Sequence, residues 1–353
     1  MTEPASFISA RPRIAVNGEA RADLQAAVLF MRVNMPFSGM AHAEVRLVNW
    51  GTNSESNGEA GYAFQQIALG DRLEIGAGDT QSPLLFTGEV TAIEEVYGQG
   101  APRLVLLLED KLHRLAKLRN NRVFESVSVN ELVQTLLSDA NLTGDIQVSN
   151  DRGVWHQLNE TGLGFLLRVL APYGIPLRYS ANSARVKADE EDTQPVAIDT
   201  QSGVTSLRII ADVNRQPRAV SVQGFNLDAD ENASGNSDSS GLSNGASGGT
   251  DARQTLAQLS WGGDEIFAYP PARHQAEADA WARAAMRSKA QAFLHGELIA
   301  SGNTQLRTGK QIDLSGASAR LNGKYQILQA QHLFDTANGY QTRVKIARAS
   351  WNL

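Results

Sequence analysis

The first third of the chain alternates between apolar and polar residues with a period of two, which is typical of half-buried β-strands. Within residues 43–50, Val45 and Leu47 fall on one face, whereas Glu44 and Arg46 fall on the other. Short strands separated by glycine-containing turns favour a small barrel or sandwich. Strands of this kind are predicted over residues 11–18, 24–34, 43–50, 70–76, 84–96 and 103–109.

Two of these strands carry additional information. Gly88 lies inside residues 84–96, and a glycine within a strand predicts a bulge or bend that curves the sheet. Residues 103–109 are apolar at nearly every position, so this strand is predicted to be buried on both faces.

A helical period replaces the strand pattern in the middle of the chain. Ser128 and Glu131 have the spacing of a capping box, which predicts a helix that runs to about residue 140. A second helix is predicted over residues 161–171, where Pro172 and Gly174 end it, and a hairpin follows over residues 176–187. The apolar helix faces consist of Leu132, Val133, Leu136 and Leu137, and of Leu163, Leu166, Leu167 and Leu170.

The last part of the chain returns to glycine-punctuated strands. An alanine-rich helix that contains Trp281 is predicted over residues 275–295, between these strands. The chain as a whole is therefore predicted to consist of a β-rich part, an α+β part and a second β-rich part. This is a mainly β fold of the α+β class. Strands are predicted over residues 204–210, 218–224, 297–302, 311–316, 323–332 and 339–347.

One segment differs from all others in composition. Residues 230–251 are mostly Ser, Gly, Asn and Asp, and Leu242 is their one large apolar residue. Such a segment buries too little apolar surface to offset the entropy of ordering it. It is therefore predicted to be a flexible loop inside the second β-rich unit.

Composition and charge exclude several classes of protein. The 353-residue chain has no cysteine, which excludes a disulfide scaffold, a thiolate metal site and a cysteine nucleophile. Its formal net charge of −6 argues against a nucleic-acid binder, so no nucleic-acid specificity is expected. No apolar run is long enough for a membrane helix, and the N-terminus lacks the features of a signal peptide. We expect neither membrane insertion nor Sec-type secretion.

A search for catalytic motifs finds none. The sequence lacks a nucleophile elbow, a phosphate-binding P-loop and a His-Glu-x-x-His pair. The paired carboxylates Glu94–Glu95 do not indicate an active site, because neighbours on a strand face opposite sides. Glu190–Glu191 belong to the acidic run of residues 189–192, for which a solvated loop is favoured over a calcium site because the spacing of an EF-hand loop is missing. No catalytic, cofactor-binding or metal-binding residue is predicted, and no cofactor is expected. The six histidines are scattered, and structural or surface roles are favoured for His42, His113, His156, His274, His295 and His332.

Two sets of residues leave a binding role open. A basic run could bind phosphate or an acidic partner, although a solvated connector is the favoured interpretation. Three tryptophans could serve a carbohydrate-binding module, although packing or a role between subunits is favoured for each. These residues are Lys111, Arg114, Lys117, Arg119 and Arg122 in the basic run, and Trp50, Trp155 and Trp261 among the tryptophans.

Taken in order, four stretches resemble the hub family of contractile injection machines. This family includes phage late-control D proteins, myophage baseplate hubs and the N-terminal half of VgrG proteins from type VI secretion. The match depends on order and spacing, because no single motif is strong. The stretches are residues 85–93 in the first β-rich part, residues 122–137 at the step into the middle, residues 157–174 in the middle, and residues 306–316, 321–327 and 332–342 at the end.

The resemblance implies a structural adaptor without enzymatic activity. In such a hub, residues 1–112 and 201–353 would form two tube-like β-barrel domains, and residues 113–200 an intervening α+β domain. Three copies would form a ring with pseudo-sixfold symmetry, which joins a hexameric inner tube to a trimeric spike and contacts other baseplate proteins. Because the chain ends after the last barrel strand, a separate spike protein is expected.

The same resemblance bears on location and on the alternatives. The protein would assemble in a bacterial cytoplasm and leave it as a component of a virion or of an extracellular or secretion particle. The alternative functions are a tail-tip glycan or peptidoglycan hydrolase and a carbohydrate-binding β module. The absence of paired acid–base residues disfavours the hydrolase.

Overall fold

The N-terminal part of the chain is built from antiparallel strands, as predicted. The computed structural model describes residues 11–52, 59–78, 83–189, 194–239 and 249–352. Val45 and Leu47 are fully buried on one face of their strand, which confirms the predicted alternation. The elements of this part are β1 (Arg13–Val16), β2 (Glu19–Ala20), α1 (Ala22–Ala27), β3 (Val28–Met35), β4 (His42–Val48), β5 (Arg72–Gly76), β6 (Phe86–Val96) and β7 (Arg103–Glu109).

Gly88 has the structural role that its place inside a strand predicts. A bulge follows it between Val90 and Ala92. A Cβ atom on Gly88 would lie only 2.6 Å from the carbonyl oxygen of Glu109, so a side chain would force β6 away from β7.

Two predictions in this part are wrong in detail. The strand predicted over residues 24–34 begins only at Val28, because the helix formers before it make α1, which buries Leu24. Burial of β7 on both faces is also incorrect, because Leu107 is 39% exposed. The outer face of β7 is therefore only partly covered.

The middle of the chain confirms both predicted helices. The Ser128 hydroxyl accepts the Glu131 N–H at 3.2 Å, and the Glu131 carboxylate accepts the Ser128 N–H at 3.0 Å, so the capping box is complete. The predicted hairpin is also present. The elements are β8 (Arg119–Ser128), α2 (Val129–Asp139), β9 (Gly144–Gln147), β10 (Arg152–Thr161), α3 (Gly162–Leu170), β11 (Leu177–Ser180) and β12 (Ser183–Lys187).

The basic run before α2 contains a short helix that the sequence does not predict, while Arg114, Lys117 and Arg119 are exposed, as expected of a solvated connector. Lys111–Ala116 forms a 3₁₀ helix that buries Leu112 and Leu115. Asp110 caps this helix by accepting the Leu112 N–H at 2.9 Å. The rest of the run enters β8, which pairs with β10 as a two-stranded ribbon.

The C-terminal part contains more regular structure than its sequence predicts. Helix α5 is present, but it ends at Gln291 because the next strand begins at Leu294. The elements are β13 (Val196–Asp199), β14 (Val204–Ala211), β15 (Ala219–Asn226), β16 (Glu231–Asp238), β17 (Thr250–Asp251), α4 (Ala252–Leu259), β18 (Glu265–Ala272), α5 (Gln275–Gln291), β19 (Leu294–Ser301), β20 (Gln311–Ser315), β21 (Gly323–Asp335), β22 (Gly339–Arg348) and β23 (Ser350–Trp351).

The predicted flexible loop over residues 230–251 is wrong for its first part. Strand β16 pairs with β15 along its whole length, and α5 packs across it. Small residues permit this packing: a Cβ atom on Gly235 would lie 2.2 Å from the backbone of Ala278 in α5. The helix thus selects small residues here, which accounts for a composition that resembles a linker. Residues 240–248 lie outside the described residues.

A single large sheet joins the two β-rich parts of the chain. Its order is β14-β19-β22-β21-β3-β4-β7-β6-β5-β1-β2, with β20 and β13 attached beside β21. The connection is the antiparallel pairing of β21 with β3, in which Ala330 lies opposite Met35 and Asp335 opposite Phe30. The pairing in the described chain does not close any sheet on itself. The two barrels and the domain boundaries at residues 112 and 200 therefore stay predictions.

Candidate functional site

Strand β14, at one end of the large sheet, has an open edge. Strand β14 pairs only with β19 among the described strands. The Asp212 N–H donates to the Phe293 carbonyl opposite it at 2.9 Å. Because hydrogen-bonded and non-bonded pairs alternate in an antiparallel ladder, the N–H groups of Ile209 and Ala211 point to the open side. Such an edge is a template for another strand.

A second open edge lies on β6. Strand β5 pairs with β6 only as far as Glu89, and the backbone contact at Val90 is the last on that side. From Thr91 onward, β6 pairs only with β7 in the described part of the chain. Between these two edges lie two groups of four strands, β14-β19-β22-β21 and β3-β4-β7-β6.

The two open edges carry complementary charges. Strand β14 exposes Arg208, while the free part of β6 exposes Glu94 and Glu95. The structure places Glu94 and Glu95 as consecutive strand residues, so their carboxylates do not share one site.

A buried ion pair joins the middle of the chain to α5. Glu277 is fully buried, and its carboxylate accepts hydrogen bonds from the Arg273 guanidinium at 2.5 and 3.1 Å. The Tyr173 hydroxyl, which follows α3, donates to the same carboxylate at 3.0 Å. The Arg273 guanidinium also lies 3.9 Å from the centre of the Trp155 ring of β10. We call these four residues the α5 joint.

The electrostatics of the α5 joint follow from burial and from the Glu277 charge. Burial raises the pKa of the Tyr173 hydroxyl, and the neighbouring Glu277 carboxylate raises it further. Burial works against the charged form of Arg273, but the hydrogen bonds and charge of Glu277 outweigh it and raise the pKa of that guanidinium. The pair therefore has a structural role, because each charged group stabilises the charged form of the other.

The three tryptophans singled out in the sequence lie apart. Trp155 belongs to the α5 joint, and Trp261 is an exposed residue just after α4. Trp50 contacts Tyr62 edge-to-face with ring centres 5.4 Å apart, and Tyr62 contacts Tyr97 in the same way at 6.2 Å. Together these placements do not form one carbohydrate platform.

The histidines are also separate, and several have structural partners. His332 is fully buried, and its Nδ1 lies 2.8 Å from the Tyr340 hydroxyl. Burial lowers the pKa of His332 to about 3, so the ring stays neutral. The His113 Nε2 lies 2.6 Å from the Glu89 carboxylate, and His295 bonds the Ala292 carbonyl after α5. His42 and His156 are exposed, and the His274 side chain caps α5.

The acidic residues do not gather into a metal centre in the described chain, where no group of three or more His, Asp or Glu residues could hold an ion. Asp189 is paired with Arg178 at 2.6 Å, whereas Glu190 and Glu191 lie outside the described residues. None of the helices described is long and apolar enough to cross a membrane.

Comparisons with solved structures show the fold. The 43 kDa tail protein of prophage MuSo2 from Shewanella oneidensis superposes with a TM-score of 0.70 at 10% identity, over 97% of this chain and 99% of that one. A tail protein from Neisseria meningitidis superposes with a TM-score of 0.69 at 9% identity, over 96% of this chain and 97% of that one. A third structure is an Escherichia coli type VI secretion component that is described as similar to the T4 tail proteins gp27 and gp5. It superposes with a TM-score of 0.61 at 12% identity, over 92% of this chain and 74% of that one.

Sequence comparison identifies the family. No curated protein sequence matches the chain. The model of the phage tail baseplate hub (GPD) family matches residues 42–338, which is most of the chain, from the start of β4 to the turn before β22. The order of elements that suggested a hub from sequence is therefore confirmed, and the chain belongs to the phage tail baseplate hub (GPD) family.

Proposed function

We propose that this protein is the structural hub of a contractile injection machine, a homotrimer that joins a hexameric inner tube to a trimeric spike. The observation that carries this proposal is the continuous sheet with its two open edges. Each copy contributes two groups of four strands, so three copies would present six such groups around a ring. A sixfold tube could then stack on one side of the ring, while the threefold symmetry of the trimer suits the spike on the other.

The ring would close by strand pairing between copies. Strand β14 of one copy would lie beside the free part of β6 in the next copy, which places Arg208 near Glu94 and Glu95. This contact is heterologous, and three of them would close a ring in which β14 and the free part of β6 are both paired. The role is architectural: the protein would bind other baseplate proteins, catalyse no reaction and travel as part of a virion or secretion particle.

The proposal is tested by measuring the mass of the protein in solution and imaging it. Native mass spectrometry is expected to show a species of three times the 38.1-kDa chain. Negative-stain images are expected to show a ring with threefold or sixfold symmetry. A strict monomer, both alone and with a spike protein added, would contradict the hub assignment.

A proline on the open edge tests the strand pairing itself. Ala211→Pro removes an N–H that points to the open side and leaves the ladder with β19 intact. We expect trimer association to weaken by about tenfold or more, since a backbone hydrogen bond is lost at each contact. Ala211→Val keeps the N–H and serves as the matched control. Equal trimer formation by both variants would exclude β14 as the contact.

A further inference from the structure

A second feature of the molecule is a cavity of about 460 Å³ where three parts of the chain meet. One wall comes from the end of β3 and from residues 84–87 at the start of β6. The β11–β12 hairpin forms the second wall, and Arg307 and Thr308 form the third. A cavity of this size is large enough for a short peptide segment or a small organic ligand.

Four arginines line this cavity, and two of them have carboxylate partners within the chain. Arg72 pairs with Glu74 at 2.6 Å. Arg178 makes a two-pronged contact with Asp189, at 2.6 and 2.8 Å. The charges of these two arginines are therefore already compensated.

Arg185 has no carboxylate at ion-pair distance among the described residues; Asp145 of β9 lies beside it in the parallel ladder but pairs with Lys187. Across the hairpin Arg185 lies directly opposite Arg178, so two like charges face each other in the ladder. Among the described contacts, Arg185 makes no hydrogen bond or ion pair, and its buried Nε atom is left without an acceptor. Only the Nε atom is buried, and Arg185 as a whole is half-buried, so the terminal nitrogens of its guanidinium remain available to an acceptor from outside the chain.

Arg307 is the second uncompensated cation. Its guanidinium donates to two backbone carbonyls, those of Thr304 at 3.0 Å and of Leu84. No carboxylate pairs with it in the described chain, and burial lowers the pKa of this guanidinium. A negative charge placed in the cavity would stabilise its charged form.

Asp110, the acidic residue in the cavity lining, does not supply the negative charge that Arg185 and Arg307 lack. The Asp110 carboxylate accepts the N–H of Ala41 at 2.7 Å and the N–H of Leu112 at 2.9 Å. Burial raises the pKa of Asp110 to about 7, so near neutral pH much of this group is uncharged. The cavity therefore keeps an excess of positive charge.

We propose that this cavity binds an acidic peptide segment, with a carboxylate held by Arg185 and Arg307. Guanidinium groups bind carboxylates in a planar, two-pronged geometry, which suits a ligand carried on a peptide. Met35, Leu85 and Phe86 line the same cavity and offer contact to an apolar neighbour of the acidic residue. A bound segment would contact all three walls and tie the two β-rich parts to the hairpin.

The test uses two model peptides that differ only in charge. Isothermal titration of the full chain with N-acetyl-Leu-Glu-Leu amide is compared with titration with N-acetyl-Leu-Gln-Leu amide. We expect the acidic peptide to bind at least about tenfold more tightly, since its carboxylate forms charge-assisted hydrogen bonds that the neutral amide cannot form. Equal binding of the two peptides would overturn the proposal.

Variants of Arg185 locate the binding. Because Arg185 makes no hydrogen bond or ion pair with the part of the chain that the structure describes, Arg185→Gln is expected to fold normally, which circular dichroism checks. It should weaken binding of the acidic peptide about tenfold, whereas Arg185→Lys should retain part of the affinity. Arg283→Gln, which removes an exposed arginine of α5, is the matched control and should change nothing. Equal affinity of Arg185→Gln and the wild type would refute the site.

Inorganic phosphate provides the last comparison. Binding of phosphate that depends on Arg185, without binding of the acidic peptide, would overturn the peptide assignment and leave a small-oxyanion site. Tighter binding of the acidic peptide than of phosphate would support the proposal.

Discussion

Replacing Glu277 by glutamine removes the negative charge at the centre of the α5 joint without changing the shape of the side chain. The carboxylate is fully buried and accepts bonds from Arg273 and Tyr173. A glutamine amide offers one oxygen and turns its NH₂ group toward donors. The Arg273 guanidinium, which is also packed on Trp155, would then be left without its counter-charge.

The expected cost follows from the burial of the pair. Removing one partner of a buried ion pair costs about 3–5 kcal/mol. Glu277 is fully buried but the Arg273 side chain is 32% exposed, so the cost here should fall near the lower end of that range. An exposed ion pair contributes at most about 1 kcal/mol. The chain offers such a pair for comparison: Arg122 and Asp139 are 2.7 Å apart, but their side chains are 36% and 47% exposed.

The assay is urea unfolding of the wild type, Glu277→Gln and the matched control Asp139→Asn. We expect Glu277→Gln to lower the free energy of unfolding by about 3 kcal/mol, and Asp139→Asn to lower it by less than about 1 kcal/mol. Hydrogen exchange should also become faster in Ala171–Tyr173 and in the first turn of α5, because these segments meet at the joint.

Two results would refute this reasoning. The first is a loss for Glu277→Gln no larger than that of Asp139→Asn, which would show that the buried carboxylate is not needed as a counter-charge. The second is unchanged hydrogen exchange on the α3 side of the joint. In that case Glu277 would stabilise α5 alone and would not hold it against the middle of the chain.

Two further predictions concern packing and pH. Gly235→Val should destabilise the protein by about 1–3 kcal/mol or more in the same urea assay, because a Cβ atom there would lie 2.2 Å from Ala278. The control is Asn236→Val, which should cost far less because the Asn236 side chain is exposed on the other face of β16. Since burial raises the pKa of Asp110 to about 7, the folded state binds an extra proton between about pH 4 and 7, and this group's contribution to stability falls as pH rises through that range. Between pH 5 and pH 8, the free energy of unfolding should therefore change less in Asp110→Asn than in the wild type. An equal change in the two proteins would contradict the raised pKa of Asp110.

The helices and strands that could be predicted from sequence are those whose signals are local. The Ser128–Glu131 capping box has a fixed spacing, and it marks the start of α2 correctly. The alternation of Tyr340, Thr342, Val344 and Ile346 predicts one buried face of β22, and all four side chains are buried. The signals for β16 are not local, since Gly235 is needed only because α5 lies against it.

The candidate sites could be predicted only in small part. Arg273 precedes the first turn of α5, so its ion pair with Glu277 is not a pair on one helix face that spacing could predict, and an acidic residue in an alanine-rich helix is usually exposed. The burial of Glu277 depends on Tyr173 and Trp155, which lie more than 100 residues earlier in the chain. The arginine cavity has no sequence signal, because its lining comes from three distant segments.

By itself, the sequence determined α2 and α3 with their buried faces, the cap of α2, most strands of the two β-rich parts, and the family, because each depends on residues near one another or on their order along the chain. It did not predict α1, α4 or β16. Only the tertiary structure decided how these parts meet. The pairing of β21 with β3 joins residues about 300 positions apart into one sheet, and it leaves β14 and β6 as open edges. The physical reason is that backbone hydrogen bonds between strands carry little sequence information, so a strand's partner is selected by the packing of the whole chain.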